Sequence, residues 1–208
     1  MLAIVDYGVG NLFSLQSSLQ KIGEQTVVTG EIKKLQQADR IILPGVGAFG
    51  DAAKKLQESG LDVILKNLAQ EGKPLLGICL GMQLLFEKSF EYGEHQGLGL
   101  LKGVIRPISD VVPKDLKIPH MGWNALHLHK QHPLFKYINE NDYVYFVHSY
   151  YATDCEESIL ATAEYGASLT AAVEKNNVLG CQFHPEKSGN VGLKILQAFC
   201  EMKAGQKC

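Results

Sequence analysis

The sequence has 208 residues, with 20 lysines and arginines against 22 aspartates and glutamates, which gives a formal net charge of −2. This balance argues against a nucleic-acid-binding or membrane-surface protein, because either usually carries a basic face. The length predicts one domain over residues 1–208, large enough for a central sheet covered by helices on both faces.

The cysteines and the N-terminus indicate a cytoplasmic protein. The cysteines form neither a C-x-x-C pair nor a disulfide framework, which suits a reducing compartment; they are Cys79, Cys155, Cys181, Cys200 and Cys208. The chain begins Met-Leu-Ala-Ile-Val-Asp with no basic segment ahead of the apolar run, which favours a first strand over a signal peptide. No apolar run approaches the roughly 18 residues of a membrane span, so we expect no membrane association.

Strand and helix patterns alternate in the first half of the chain. Short apolar runs predict strands at residues 2–5, 25–29, 41–43 and 74–79. Helical spacing of apolar residues predicts helices at residues 12–22, at 51–70 with a break near Gly60, and from Leu80 to about Phe90. Such alternation predicts a parallel sheet joined by right-handed crossovers.

The second half of the chain is mostly strand-like. Strands are predicted at residues 98–108, 123–129, 143–152 and 159–165, and a hairpin at 169–173 and 178–183. A last helix is predicted at residues 191–202, followed by a frayed tail at 203–208. The predicted fold is therefore three-layer α/β, with a mainly parallel central sheet, helices on both faces and an added antiparallel portion in the second half.

Residues 74–83 read as a strand, a sharp turn and the start of a helix. Cys79 lies at the turn, with Gly77 and Gly81 two residues away on each side, which is the form of a nucleophile elbow. The positive end of a helix favours a thiolate, so the position suits a reactive cysteine. A buried structural cysteine in a Gly-rich turn is the alternative.

His184-Pro185-Glu186 follows the strand predicted to end at Phe183 and supplies a candidate base and orienter. Residues two apart in an extended segment point to the same side, so Glu186 can hold the imidazole of His184. We expect Pro185 to keep this segment extended and to prevent a helix from starting there. Taken alone, the three residues also suit a solvated surface loop.

Acyl chemistry at Cys79 would also need donors for an oxyanion. One candidate is the backbone N–H of Leu80, the residue after the cysteine. The second is the loop at Gly45-Val46-Gly47, because the carboxyl ends of parallel strands share one edge of a sheet. The alternatives for this loop are an ordinary tight turn or a phosphate loop, although no Gly-Lys-Ser/Thr follows it.

Three motifs together resemble the class I (triad) glutamine amidotransferase family: the elbow at residues 77–83, the loop at 44–50 and His184-Pro-Glu. The resemblance covers nearly the whole chain and implies hydrolysis of L-glutamine without a metal or other cofactor. It implies that Cys79 attacks the side-chain amide, with Val46 or Gly47 and Leu80 as oxyanion donors. It also implies substrate contacts, which would come from Gly45, Gln83, Ser149 and Tyr150. A helix-surface amide and a strand end are the alternatives for the last three.

Segments 6–11, 119–124 and 145–150 resemble one member of that family, a glutaminase subunit of histidine biosynthesis. That likeness implies a heterodimer in which ammonia passes to a separate (β/α)8-barrel cyclase subunit. Residues that match positions near the subunit contact are Asn11, Trp123, Tyr145 and Lys187. A core-capping role remains open for Trp123, and a solvated one for Lys187.

Other interpretations remain open at this point. The same chemistry could serve another acceptor synthase, and a non-catalytic binding protein could use the same fold. His127, His129 and His132 suggest a metal site, but no further ligand of matching spacing follows, so we expect none. Cys181 is expected to be a small buried hydrophobic residue.

Overall fold

The computed structural model describes residues 1–202, and the predicted frayed tail at residues 203–208 lies outside them. The strands are β1 (Leu2–Val5), β2 (Thr26–Thr29), β3 (Arg40–Gly45), β4 (Leu75–Cys79), β5 (Lys88–Ser89), β6 (His95–Gln96), β7 (Val104–Pro107), β8 (His120–Ala125), β9 (His127–Leu128), β10 (Tyr143–His148), β11 (Tyr150–Thr153), β12 (Ile159–Glu164), β13 (Ser168–Lys175) and β14 (Val178–Cys181). The α-helices are α1 (Leu12–Lys21), α2 (Ile32–Gln37), α3 (Phe49–Glu58), α4 (Leu61–Gln70), α5 (Leu80–Gln83) and α6 (Gly189–Cys200). One-turn 3₁₀ helices lie at Ile108–Asp110, Pro133–Phe135, Glu156–Ser158 and Pro185–Lys187.

An eight-stranded sheet with the order β2-β1-β3-β4-β14-β13-β12-β9 forms the centre of the fold. The strands from β2 to β14 pair in parallel, and the remaining three pair antiparallel. Two smaller sheets, β10-β8 and β11-β7-β5-β6, come from the second half of the chain and the segment after β4. The predicted mainly parallel sheet with a late antiparallel portion is confirmed.

Two hydrophobic cores lie on opposite faces of the central sheet, because successive strand residues point to opposite sides. Ala3 and Val5 belong to the core that also contains the buried residues of α2, α3 and α4. Leu2 and Ile4 belong to the core shared with α1 and α6. The prediction of helices on both faces is therefore confirmed.

The hairpin of β13 and β14 brings the end of the chain back beside β4. Lys175 pairs with Val178, so the loop consists of Asn176 and Asn177. Asn177 Nδ2 donates to the carbonyls of Ala69 and Lys73, each at 2.8 Å, which ties the hairpin to the segment before β4. β14 then runs parallel to β4, and the chain leaves it toward His184 at the edge where β4 ends.

The helix predicted from Leu80 to about Phe90 is wrong in its length, since α5 ends at Gln83. The apolar residues beyond it, Leu84 to Phe86, are fully buried on all sides instead of along one helical face. Their carbonyls accept hydrogen bonds from residues 98–101, so these residues pack into the core as a loop. A buried loop and a buried helix give the same run of apolar letters.

Other predicted boundaries also differ from the structure. Only Val104–Pro107 forms a strand within residues 98–108. The runs at residues 123–129 and 143–152 are each split between two strands that belong to different sheets. The sequence did not predict α2, a short helix of six residues. Within residues 1–202, no helix is long and apolar enough to cross a membrane.

Candidate active site

Cys79 occupies the strained turn that the sequence predicts between β4 and α5. Its φ of 54° and ψ of −111° are unfavourable for any residue with a Cβ. A Cβ on Gly77 would lie 2.6 Å from the carbonyl oxygen of Gly81, and one on Gly81 only 1.8 Å from that of Leu43. Both flanking glycines are therefore steric requirements of the turn.

His184 and Glu186 meet as predicted, with Nδ1 of the imidazole 2.8 Å from Oε1 of the carboxylate. Both side chains are almost completely buried. The backbone prediction is wrong, because Pro185–Lys187 forms one turn of 3₁₀ helix. Proline suits the first position of a helix, where an N–H would have no partner, so Pro185 starts this turn instead of preventing it.

The contact between Nδ1 and Glu186 leaves Nε2 of His184 for the sulfur of Cys79. Burial lowers the pKa of His184, but its interactions with Cys79 and Glu186 outweigh burial and raise that pKa to about 9. A thiol, an imidazole and a carboxylate in this order can move a proton from sulfur to nitrogen. The arrangement can therefore supply a thiolate nucleophile and a general acid.

Two glutamines extend this polar cluster on the other side of Cys79. Nε2 of Gln182 lies 3.7 Å from the Cys79 sulfur, and its Oε1 accepts from Nε2 of Gln83 at 2.9 Å. Nε2 of Gln83 also donates to the carbonyl of Tyr150 at 3.1 Å. We did not predict Gln182. Its position two residues before His184 could have shown it, since residues two apart at a strand end share a side.

A cavity of about 540 Å³ opens above Cys79. Its lining includes most of the residues that the sequence predicts for oxyanion or substrate contacts: Val46, Gly47, Leu80, Gln83, Ser149 and Tyr150. Gly45 does not line it, so its contact with the substrate stays a prediction. A Cβ there would lie 2.8 Å from the Tyr7 hydroxyl and 2.9 Å from the Gly81 nitrogen, so Gly45 packs beneath the elbow.

Glu91 is a second residue of the cavity that the sequence analysis missed. Its Oε2 accepts from the backbone N–H of Phe49 at 2.6 Å, at the start of α3. Burial raises the pKa of Glu91, and the hydrogen bond from Phe49 opposes that rise. Glu91 was missed because the helix was predicted to run to about Phe90, and a helix of that length would not have placed Glu91 at the elbow.

A buried pair of histidines supports the cavity wall. Nδ1 of His120 lies 3.0 Å from Nε2 of His148, and Nδ1 of His148 lies 2.8 Å from the carbonyl of Tyr150. That carbonyl accepts only, so His148 carries its proton on Nδ1 and accepts from His120 through Nε2. Burial lowers the pKa of His120 to about 4 and that of His148 to about 3, so both rings are neutral at pH 7.

This pair predicts loss of stability in mild acid. Each histidine takes up a proton on unfolding below its ordinary pKa of about 6.5, so the unfolded state binds more protons there. The free energy of unfolding is therefore expected to fall as the pH drops from about 6.5 to 4, by up to roughly 1.4 kcal/mol per pH unit for each histidine. Urea unfolding at a series of pH values measures this slope. His120→Gln should remove part of it, since burial also lowers the pKa of His132, which contributes with the same sign. Equal stability at pH 7 and pH 5 would contradict the assignment.

Three of the four residues predicted for a partner contact form one exposed cluster. Trp123 is 55% exposed, which argues against a core-capping role, and its ring centroid lies 6.2 Å from that of Tyr145. Nζ of Lys187 lies 6.0 Å from the Tyr145 ring centroid. Asn11 instead caps α1 by accepting from the N–H of Ser14, and it lines a small cavity together with His184.

The histidines that suggested a metal site each have a different protein partner. His127 meets Glu140 at 3.2 Å, His129 meets the Thr162 hydroxyl at 2.9 Å, and His132 accepts from the N–H of Leu134 at 3.1 Å. Among residues 1–202, no group of three His, Cys, Asp or Glu side chains could hold a metal ion. Cys181 is fully buried beside the site, as expected of a small hydrophobic residue.

This chain is similar to known proteins over almost its whole length. The family model for glutamine amidotransferase class-I matches residues 3–202. The imidazole glycerol phosphate synthase subunit HisH of Oceanobacillus iheyensis is 51% identical over 203 residues, which cover 97% of this chain and 99% of the relative. HisH of Sulfurimonas denitrificans is 52% identical, covering 98% and 99% of the two chains, and HisH of Bacillus subtilis 50% identical, covering 100% and 99%.

Solved structures share the fold at lower identity. A glutamine amidotransferase crystal structure has a TM-score of 0.74 at 20% identity and covers 96% of this chain and 97% of its own. PurLQS from Thermotoga maritima has a TM-score of 0.75 at 22% identity, with 96% of each chain covered.

Proposed function

The chain belongs to the class-I glutamine amidotransferase family, and we propose that it is the glutaminase subunit of an imidazole glycerol phosphate synthase in histidine biosynthesis. The observation that carries this proposal is the buried contact of His184 with Glu186 beside the strained Cys79, in a chain about half identical to HisH subunits over nearly its full length. One domain over residues 1–208, in the cytoplasm and without a cofactor, would hold the activity.

Cys79 attacks the side-chain carbonyl carbon of L-glutamine, and its proton passes to Nε2 of His184. Backbone N–H groups of Leu80 and of Val46 or Gly47 stabilise the oxyanion that forms. His184, held by Glu186, gives the proton to the departing ammonia, which leaves a γ-glutamyl thioester on the sulfur. Water then attacks the thioester and releases glutamate.

The opposite end of the cavity holds the amino-acid end of glutamine. Glu91 faces the α-ammonium group, because a partly buried carboxylate gains most from a cationic partner. Ser149 and Tyr150 bind the α-carboxylate. Gln83 accepts from the α-ammonium group through its Oε1, because both of its amide hydrogens go to the Tyr150 carbonyl and to Gln182. Gly45 acts indirectly, since it allows β3 to approach the elbow closely.

Ammonia passes to a separate cyclase subunit with a (β/α)8 barrel, which docks as a heterodimer on the exposed cluster of Trp123, Tyr145 and Lys187. The backbone under that cluster is joined to the candidate base. The N–H of His184 donates to the Tyr145 carbonyl at 2.9 Å. The hydroxyl of Ser188 joins the Tyr145 N–H and the His184 carbonyl, at 2.9 and 2.6 Å. Docking at Tyr145 can therefore act on the position of His184. Asn11 lines a small cavity together with His184.

Replacing Trp123 by alanine is expected to weaken the complex by roughly 10- to 100-fold, since exposed aromatic residues at the centre of an interface contribute most of its affinity. Tyr137→Ala is the matched control, because Tyr137 is an exposed aromatic residue that bonds to Glu201 at the end of α6. Titration calorimetry with the purified cyclase measures both affinities. Equal affinities for Trp123→Ala and the unsubstituted protein would show that the cluster is not the docking face.

Mixing the purified chain with the histidine-pathway cyclase tests the proposal as a whole. Glutamate release is expected to rise when the cyclase binds its own ligand. If no complex forms and no stimulation occurs, the histidine assignment fails, and a class I amidotransferase with another acceptor takes its place. If no glutamate is released under any condition, the chain is a binding protein on the same fold.

A further inference from the structure

Gln182 lies fully buried against the sulfur of Cys79, and the mechanism above gives it no part. Its backbone is fixed by a hydrogen bond from its N–H to the carbonyl of Ala171 at 2.8 Å. A buried amide must find partners for both its oxygen and its nitrogen, because leaving either unpaired is costly. The identity of those partners determines what Gln182 presents to the cysteine.

The hydrogen bonds fix which end of Gln182 faces Cys79. The carbonyl oxygen of Tyr150 accepts only, so the atom of Gln83 at 3.1 Å from it must be the amide nitrogen. The second hydrogen of that nitrogen points to Gln182 at 2.9 Å, which therefore presents its oxygen there. The amide nitrogen of Gln182 is then left 3.7 Å from the Cys79 sulfur, as a donor.

Few other side chains can donate to this sulfur. The Tyr7 hydroxyl donates to the carbonyl of Pro44 at 2.8 Å, and burial, aided by Cys79, raises the pKa of Tyr7. His148 is neutral, and both of its ring nitrogens have partners. Within the described part of the chain, the side chains left to donate to the sulfur are Gln182, at 3.7 Å, and His184, which interacts with Cys79 and whose Nε2 has no other hydrogen-bond partner.

The protonated thiol of Cys79 also has a hydrogen-bond acceptor. The carbonyl oxygen of Val147 lies 3.9 Å from Sγ and can accept from the thiol. The thiolate has no proton to donate to that carbonyl and instead accepts hydrogen bonds from His184 and Gln182. His184 gives up its proton during the reaction, whereas the amide of Gln182 does not titrate. Gln182 is therefore the side-chain donor that stays in place through every step.

We propose that Gln182 is a positioning residue that donates a hydrogen bond from Nε2 to the Cys79 thiolate, and that Gln83 fixes its orientation. The proposal rests on the proposed function, in which the thiolate attacks glutamine. It also explains why Gln83 is held internally at two points although its side chain reaches the cavity.

The test is the pH dependence of Cys79 alkylation by iodoacetamide, followed by mass spectrometry of the Cys79 peptide. Gln182→Met keeps the side-chain length but removes the donor. We expect the pH of half-maximal alkylation to rise by about one unit, since a hydrogen bond to a charged group is lost. The kcat for glutamate release should fall by roughly 10-fold or more. An unchanged alkylation profile in a folded Gln182→Met protein overturns the proposal.

Gln83→Met tests the second half of the proposal. It keeps the Gln182 amide but removes the partner that fixes its orientation, so it should raise the KM for glutamine and raise the pH of half-maximal alkylation by less than Gln182→Met does. An unchanged alkylation profile in Gln83→Met would show that Gln83 does not fix the orientation of Gln182.

If Gln182→Met fails to fold, the unsubstituted protein gives the answer. Its Gln182 side-chain amide resonance, followed by ¹⁵N NMR, should move with pH in step with alkylation and should not do so in Cys79→Ser. A Gln182 resonance that does not change with the protonation state of Cys79 overturns the proposal. Alkylation needs no glutamine, so an unsubstituted protein that releases no glutamate would refute the proposed function and not this one.

Discussion

Replacing Cys79 by alanine is expected to reduce glutamate release by about 10³-fold or more, because no other group in the cavity can form the thioester. The complex with the cyclase should still form, since Cys79 is buried and its side chain is not one of the exposed cluster. The fold should persist, because alanine meets the same backbone strain at φ 54° as cysteine does. A coupled glutamate assay with the cyclase present measures the loss.

Cys79→Gly is the control for this strain. Glycine adopts a positive φ without a Cβ clash, so this variant should be more stable than Cys79→Ala by about 1 kcal/mol while equally inactive. Activity near that of the unsubstituted protein in either variant would refute Cys79 as the nucleophile. Equal stability of the two variants would show that the turn carries no strain.

Replacing Gly81 by alanine is expected to destabilise the protein by about 3 kcal/mol or more and to abolish activity. The new Cβ would lie 1.8 Å from the carbonyl oxygen of Leu43 and 2.8 Å from its carbon. Both are backbone atoms of β3, so relief requires β3 and the elbow to separate. That separation would also displace the candidate oxyanion loop at Val46. Thermal and urea unfolding measure the stability change.

Gly23→Ala separates the clash from ordinary glycine effects. Gly23 has a φ of 81°, but a Cβ there would meet nothing within 4 Å. Its replacement should cost only the left-handed conformation, about 1 to 2 kcal/mol, and leave the active site intact. If Gly81→Ala costs no more than Gly23→Ala, the elbow tolerates a side chain and the steric account fails.

The alternation of strand and helix, and with it the parallel half of the fold, could be predicted because the buried strands are short continuous apolar runs. The elbow could also be predicted, since Gly77, Cys79 and Gly81 stand at a spacing that few other structures require. The contact between His184 and Glu186 was predicted correctly, although the backbone conformation predicted for this segment was wrong. The 3₁₀ turn that the structure shows also brings these two side chains together.

What could not be predicted depends on long-range packing. The end of α5 at Gln83 is set by loop residues 98–101 that bond to the carbonyls of residues 84–86, and local sequence gives no sign of them. Glu91 enters the cavity only because α5 stops early. The orientation of Gln182 depends on a carbonyl of β11, far away in sequence.

The most direct test of the account is to trap the covalent intermediate on Cys79. The chain and its cyclase partner are mixed with glutamine and quenched in acid within one turnover. The protein is then digested, and the mass of the Cys79 peptide is measured by mass spectrometry. We expect the peptide to gain the mass of one γ-glutamyl group, and Cys79→Ala to show no adduct and no glutamate release. Glutamate released at an undiminished rate by Cys79→Ala, with no adduct on the unsubstituted protein, would contradict the account.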